Sequence, residues 1–366
     1  MGRRLLFTGG YTEPILMGSG EIVEGRCEGI RCYAFDDGRG TLSPMATTRG
    51  VQNPSYVLAD RRGEHLYCVN ELKTYGEVEG SMVSAYCIDN STGALTLINR
   101  QATCGADACH LSLSRDDRWL LATNYSGGSF STFPIREDGG IAPADCLLRH
   151  AGNGPNAARQ GQPHPHQTIL APDGGRVYVS DLGLDTLKCY RADWEKGWLL
   201  PEPERDIYGR PGQGTRHGAF DAAGKHLYVM TELSAEVNVY DYDQRTGSAT
   251  LAQTLACPTD GADEDCLGAG IRLHPGGPWL YCAVRGVNRL YVYDVMADGR
   301  LHLSQVQASG GQTPREFALS PDGAWLLASH QDSDDIGIHA VNPKTGHLTL
   351  QSTYTDAPCV TTLCFV

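Results

Sequence analysis

Apolar and polar residues alternate along this chain in short runs, not in the wider stripes of amphipathic helices. Val83-Ser84-Ala85-Tyr86-Cys87-Ile88 and Val237-Asn238-Val239-Tyr240-Asp241-Tyr242 show the period of two expected of half-buried strands, bounded by Gly, Asp and Asn. The runs recur. A turn followed by a β-rich segment appears as Arg62-Gly63-Glu64-His65-Leu66-Tyr67, Asp116-Asp117-Arg118-Trp119-Leu120-Leu121 and Asp173-Gly174-Gly175-Arg176-Val177-Tyr178. It returns as Ala223-Gly224-Lys225-His226-Leu227-Tyr228, Gly276-Gly277-Pro278-Trp279-Leu280-Tyr281 and Asp322-Gly323-Ala324-Trp325-Leu326-Leu327, at spacings of 46 to 57 residues. A second marker, Gly followed shortly by Leu or Ile, occurs seven times, at Gly40, Gly93, Gly139, Gly197, Gly247, Gly299 and Gly346.

Each unit predicts four strands, A to D, exemplified by residues 54–59, 66–69, 83–88 and 94–99. Four-stranded units at this spacing are the blades of a propeller. The expected fold is all-β: one seven-bladed β-propeller domain over residues 1–366, with four antiparallel strands per blade. The first unit opens on a B strand, Leu5-Leu6-Phe7-Thr8, and lacks an A strand. The chain ends on an A-like segment, Pro358-Cys359-Val360-Thr361-Thr362-Leu363-Cys364-Phe365-Val366, that lacks a B strand. These deficits match, so the C-terminal strand is expected to complete the first blade and close the ring, hiding its edges.

Antiparallel order puts the B–C and D–A connections on one face, and A, as the innermost strand, starts beside the channel. The B-strand ends there read Asn70-Glu71, Asn124-Tyr125, Asp181, Thr231-Glu232, Val284-Arg285 and His330-Gln331. The A-strand starts read Tyr56, His110, His164-Pro165-His166, Arg216-His217 and Arg315-Glu316. Ordinary turns would favour Gly, Asn, Asp and Ser instead. The opposite mouth carries plain Asp-Gly and Thr-Gly hairpins. Three long connections, 12–29, 72–80 and 152–162, also fall on the first face, and the last reads as flexible.

Composition narrows the chemistry. A net charge of −13 disfavours phosphate backbones, so no nucleic-acid partner is expected, and an anionic substrate requires a local basic cluster. The 41% hydrophobic content is ordinary, and no segment is long enough to span a membrane. The apolar run after Met1 is too short for a signal peptide. Thirteen scattered Cys read as buried free thiols in a reducing cytoplasm, including the three C-x4-C pairs. No G-x-S-x-G elbow and no nucleotide-binding glycine loop occur. His164, His166 and His217 are the ligands a metal reading would take. Neighbouring strand residues point to opposite faces, however, so three imidazoles need not converge, and neither metal nor cofactor is expected. The sequence carries no signal for an oligomeric state.

Four paired motifs give the chain a resemblance. They are His164-Pro165-His166 leading to Ser180-Asp181-Leu182-Gly183-Leu184-Asp185, and Gly214-Thr215-Arg216-His217 leading to Thr231-Glu232-Leu233. Gly270-Ile271-Arg272 leading to Val284-Arg285-Gly286 follows, then Thr313-Pro314-Arg315-Glu316-Phe317 leading to Ser329-His330-Gln331-Asp332-Ser333. In this order and at blade spacing they resemble the propeller-type lactonases, which include one class of 6-phosphogluconolactonase and the carboxymuconate lactonising enzyme. The resemblance implies a metal-independent hydrolase of carbohydrate metabolism that opens a small sugar-acid lactone, 6-phospho-D-glucono-1,5-lactone first among them. It also implies His166, Arg216, Glu232 and Arg285 as catalytic residues. Family members often carry Asn-Arg-Gly where this chain has Val284-Arg285-Gly286, which is expected to remove a polar group beside the site. They often carry Gly-Pro-Arg-His where it has Gly214-Thr215-Arg216-His217.

For such chemistry Glu232 or His166 would be the general base, and Arg216 with His217 would meet the oxyanion. Arg285 and Arg315 would hold a phosphate or carboxylate. Asn70, Glu71, Asn124 and Gln331 would bind hydroxyls, and His164 joins the substrate-binding set. His110, Tyr125, Asp181 and Asp185 read as structural. Two other readings are lactonisation of a carboxymuconate and a non-catalytic propeller that binds a ligand or protein.

Overall fold

A computed structural model describes residues 3–261 and 266–366. Seven antiparallel sheets, each with a four-stranded A-B-C-D path, follow one another along the chain as a seven-bladed β-propeller. In blade 4 the strands are Pro165–Leu170, Arg176–Asp181, Thr186–Asp193 and Trp198–Pro201, with Ile207–Tyr208 also pairing on the third. Blade 1 is built from both chain ends. Val360–Phe365 supplies its A strand and pairs antiparallel with Arg3–Gly10, as the unmatched strands at the two termini require.

The core lies between the blades. Seven apolar clusters occupy the seven interfaces; one joins Leu121 and Phe130 of blade 3 to Val177, Val179 and Tyr190 of blade 4. Alternation explains this arrangement, since each internal sheet presents apolar residues to neighbours on both faces. The C–D hairpin glycines lock the rim. A Cβ at Gly40, Gly139, Gly197, Gly247, Gly299 or Gly346 would lie 2.0–2.5 Å from the first B-strand residue of the preceding blade. Those residues are Trp325, His65, Trp119, Arg176, His226 and Trp279.

The innermost strands share a departure from regular pairing. In blade 4, Pro165 pairs with Asp181 and Gln167 with Ser180, so His166 is passed over. Cys109, Arg216, Arg315 and Thr361 are passed over at the same place in blades 3, 5, 7 and 1, and Ala269 with Gly270 in blade 6. A bulge re-aims a side chain and is common beside functional sites. In blades 1, 3, 4, 5 and 7 it turns one residue toward the axis.

Val284 corrects an expectation. Its neighbour Arg285 faces the axis, so strand alternation sends Val284 into the apolar cluster between blades 5 and 6, fully buried with Met230 and Tyr291. A valine there removes nothing from the channel mouth. The thiols also differ in part from expectation. No disulfide joins the described thiols, but Cys87 and Cys104 are exposed and Cys146, Cys266 and Cys364 only half-buried. No helix among the described residues is long and apolar enough to cross a membrane.

Candidate active site

Two rings of residues build the mouth of the channel. The bulge positions give Cys109, His166, Arg216, Ala269, Arg315 and Thr361, with Ser55 at the matching place in blade 2. The residue just beyond each B strand gives Tyr11, Glu71, Tyr125, Leu182, Glu232, Gly286 and Gln331. Blade 6 contributes only small residues to both rings, and Arg285 lines the pocket in that sector. The pocket also takes in Asp107, Arg159 and Leu267. Leu16, Met17, Gly18 and Ser19 of the first long connection form one wall.

Glu232 is the electrostatic centre. Its backbone is held from both sides, with Glu232 N donating to Gly214 O (2.7 Å) and Gly268 N donating to Glu232 O (2.9 Å). Arg216 Nε reaches its Oε2 at 2.9 Å and Arg285 Nη2 the same oxygen at 3.0 Å, while Arg159 Nη2 bonds Oε1. Burial alone would raise this carboxyl. The guanidiniums of Arg285, Arg159 and Arg216 outweigh it and hold the group well below the usual range. Glu232 is therefore ionised at neutral pH and has little basicity left. Burial, opposed by Glu232, brings Arg285 down to about 10, still cationic at pH 7.

Glu71 sits in the same pocket on different terms. Asn53 positions it, with Glu71 N donating to Asn53 O (3.0 Å) and Asn53 Nδ2 donating to Glu71 O (3.2 Å). Tyr11 Oη donates to Glu71 Oε2 at 3.3 Å, and the Arg315 guanidinium lies 5.6 Å from the centre of the Tyr11 ring. Burial dominates, pushing the carboxyl up to about 7 against the pull of Arg315. His166 lies between the two carboxylates in the ring order. Burial and the neighbouring Arg216 charge push its imidazole well below its ordinary pKa, so it is neutral at pH 7.

The structure brings His166, Arg216, Glu232, Arg285, Arg315 and Glu71 together, and leaves other expected residues aside. Arg216 and His217 line a small inner chamber with Ser55, Tyr56, Cys109, His166, Arg315, Glu316 and Thr361, beneath the main pocket. The His217 ring is 4.9 Å from that of His166 and its Nδ1 is 3.6 Å from Glu316 Oε2. Asn70 and Asn124 are engaged within their blades. Asn70 Nδ2 donates to Gln52 O (2.7 Å) and Asn70 Oδ1 accepts from Ser84 Oγ (2.7 Å); Asn124 Nδ2 donates to Ser129 Oγ (3.0 Å). His164 stacks on Tyr125 at 4.3 Å with Nδ1 3.0 Å from the Tyr125 carbonyl, so it does not join the other imidazoles. Gln331 touches the site through Arg315, whose Nη1 is 3.5 Å from its Oε1.

Asp181 accepts from His164 N (2.7 Å), and Asp185 accepts from Gly212 N (2.7 Å) and Gly214 N, which are structural roles. Among the described residues, one trio has donor atoms spaced for a metal, Asp60, Glu64 and His65. It lies in an A–B turn at the opposite mouth. The same Asp–His pairing recurs in blade 5 as Asp221–His226, which marks it as a turn device.

Sequence reasoning missed Arg159, Cys109 and Asp107 as pocket residues, and Tyr11 as the buried partner of Glu71. Arg159 lies in the connection read as flexible, yet Gln160 is buried there and its Nε2 donates to Leu182 O (2.9 Å). An arginine within a loop already assigned to the functional face was the available signal. Cys109 could have been found by aligning it with His166 and Arg216 one repeat on. Burial raises its thiol to about 12, so it is not a ready nucleophile.

Known proteins share the sequence pattern and the fold of this chain. The family model described as "Lactonase, 7-bladed beta-propeller" matches residues 6–365. The 6-phosphogluconolactonase of Bacillus subtilis is 31% identical over 340 residues, covering 93% of this chain and 95% of the relative. That of Formosa agariphila is 28% identical over 331 residues, covering 87% and 90%. The structure of a periplasmic gluconolactonase from Pseudomonas aeruginosa superposes with a TM-score of 0.89 at 28% identity, covering 100% of this chain and 99% of that one.

Proposed function

Because the chain belongs to the seven-bladed β-propeller lactonase family, we propose that it is a lactonase that hydrolyses a sugar-acid lactone, 6-phospho-D-glucono-1,5-lactone to 6-phosphogluconate. The observation that carries this reading is the charge of the pocket. Arg159, Arg285 and Arg315 line it and Arg216 lies directly beneath, against Glu232, which is held ionised, and Glu71 and Asp107, whose carboxyls burial raises. In a chain of net charge −13 this is a local reversal of sign, suited to an anionic substrate.

The inner and outer parts of the pocket divide the work. Arg159 and Arg285 line the outer pocket alone and suit the phosphate, which accepts several charge-assisted hydrogen bonds. Arg315 and His166 line both the pocket and the inner chamber, so the lactone carbonyl is placed against them. There Arg315, with Arg216 beneath, meets the oxyanion of the tetrahedral intermediate, and neutral His166 donates a hydrogen bond. Preorganised donors of this kind are worth a few kcal/mol. Glu232 fixes three guanidiniums in place; the proton must go elsewhere. The free thiols favour a reducing, cytoplasmic setting.

The test is the loss of freshly prepared 6-phosphogluconolactone in the presence of the protein. The wild type should exceed spontaneous hydrolysis, and Glu232→Gln and Arg216→Ala should each lower kcat/KM about a hundredfold. Equal rates with and without wild-type protein would remove the assignment.

A further inference from the structure

Two carboxylates share the pocket and stand in opposite environments. Glu232 receives three guanidiniums, two on one oxygen and one on the other. Glu71 is buried with the Tyr11 phenol donating to one oxygen and the Ser55 hydroxyl and one guanidinium beside it. Where two acids are held so differently in one site, the environment assigns their tasks. One stays charged and orients its neighbours; the other can exchange a proton.

Resting on the lactonase reading, we propose that Glu71 is the general base of the reaction. Its carboxylate takes a proton from the attacking water as the water oxygen bonds the lactone carbonyl carbon. The tetrahedral oxyanion then collapses, the bond from that carbon to the ring oxygen breaks, and Glu71 returns the proton to the ring oxygen as it leaves. The product is an open-chain hydroxy acid, which ionises to its carboxylate and releases one proton to solvent. Glu71 ends as it began, and no co-reactant is needed.

Placement supports this role. Glu71 borders both the outer pocket and the inner chamber, as do His166 and Arg315, so it lies where the carbonyl is held. The charged and titratable groups that face it are Arg315 from blade 7, Tyr11 from blade 1, Asp107 at the entry to blade 3 and Cys109 at its bulge. Arg315 and the Ser55 and Tyr11 hydroxyls favour the carboxylate form, while burial and Asp107 favour the acid. The balance sits near neutrality, where a base is both available and strong enough to act. His166 is a poorer acceptor, because burial and Arg216 disfavour its protonated form.

The pH dependence of kcat/KM, corrected for spontaneous hydrolysis, tests the proposal apart from the reading it rests on. Wild-type kcat/KM should rise as pH increases through about 7, because Glu71 is acting as its ionised form. Glu71→Gln should lose about a hundredfold or more and show no such rise, while Glu71→Asp should restore the rise with part of the rate. Tyr11→Phe removes the hydrogen bond to the carboxylate and should move the midpoint to higher pH. A rise that persists in Glu71→Gln, an unchanged rate in that variant, or an unmoved midpoint in Tyr11→Phe would overturn the assignment. Failure of the wild type to speed hydrolysis at any pH would instead overturn the lactonase reading.

Discussion

Position within a ring decides what each side chain does at the mouth of this channel. Glu71 and Glu232 occupy the same place in two blades, one residue past the B strand, yet one is pushed towards neutrality and the other held ionised. The difference lies in neighbours. Arg159 contributes to it from a loop, with its side chain reaching Glu232. Replacing Arg159 by Ala should leave the fold intact, since the blades do not depend on that side chain. Its KM for the phosphorylated lactone should rise tenfold or more, about 1.4 kcal/mol, with a much smaller change for unphosphorylated gluconolactone. Equal changes for both substrates would show that Arg159 does not recognise the phosphate.

Two devices recur at the level of elements. The bulge at the start of strand A aims one residue at the axis in blades 1, 3, 4, 5 and 7, and the C–D glycine lets each blade close on the one before it. Gly197 shows the second most clearly. Its φ is +68°, and a Cβ there would lie 2.0 Å from the Trp119 ring of blade 3. Gly197→Ala should therefore lower unfolding stability by about 2–4 kcal/mol, combining left-handed backbone strain with overpacking. A denaturant midpoint equal to that of the wild type would contradict this. Because the hairpin lies at the opposite mouth, the remaining folded protein should keep its kcat/KM.

For the molecule as a whole, the joining of the chain ends in blade 1 is decisive. Val360 and Leu363 pack in the cluster between blades 7 and 1, and Cys364 and Val366 against the cluster between blades 1 and 2. Ending the chain at Cys359 removes these contacts and exposes the edge of Arg3–Gly10. Such a truncation should lose cooperative unfolding and associate through the free edge, which size-exclusion chromatography and thermal melting would detect. A truncated chain that elutes and melts like the full-length protein would show that the ring does not need this strand.

Much of this was legible in the sequence. Strand alternation and seven repeats determined the fold, because burying alternate residues between stacked sheets imposes that pattern locally, residue by residue. The unmatched strands at the two ends likewise announced the closure. His166, Arg216, Glu232, Arg285, Arg315 and Glu71 could be assigned to one mouth because strand direction alone fixes which connections share a face. Their roles could not. Whether Asn124 turns into its blade, whether Val284 faces the core or the channel, and whether Arg159 reaches Glu232 depend on bulges and on loops crossing between blades. The proton affinities of Glu71 and Glu232 depend on burial and on charges from blades far apart in sequence, so only the closed ring could set them.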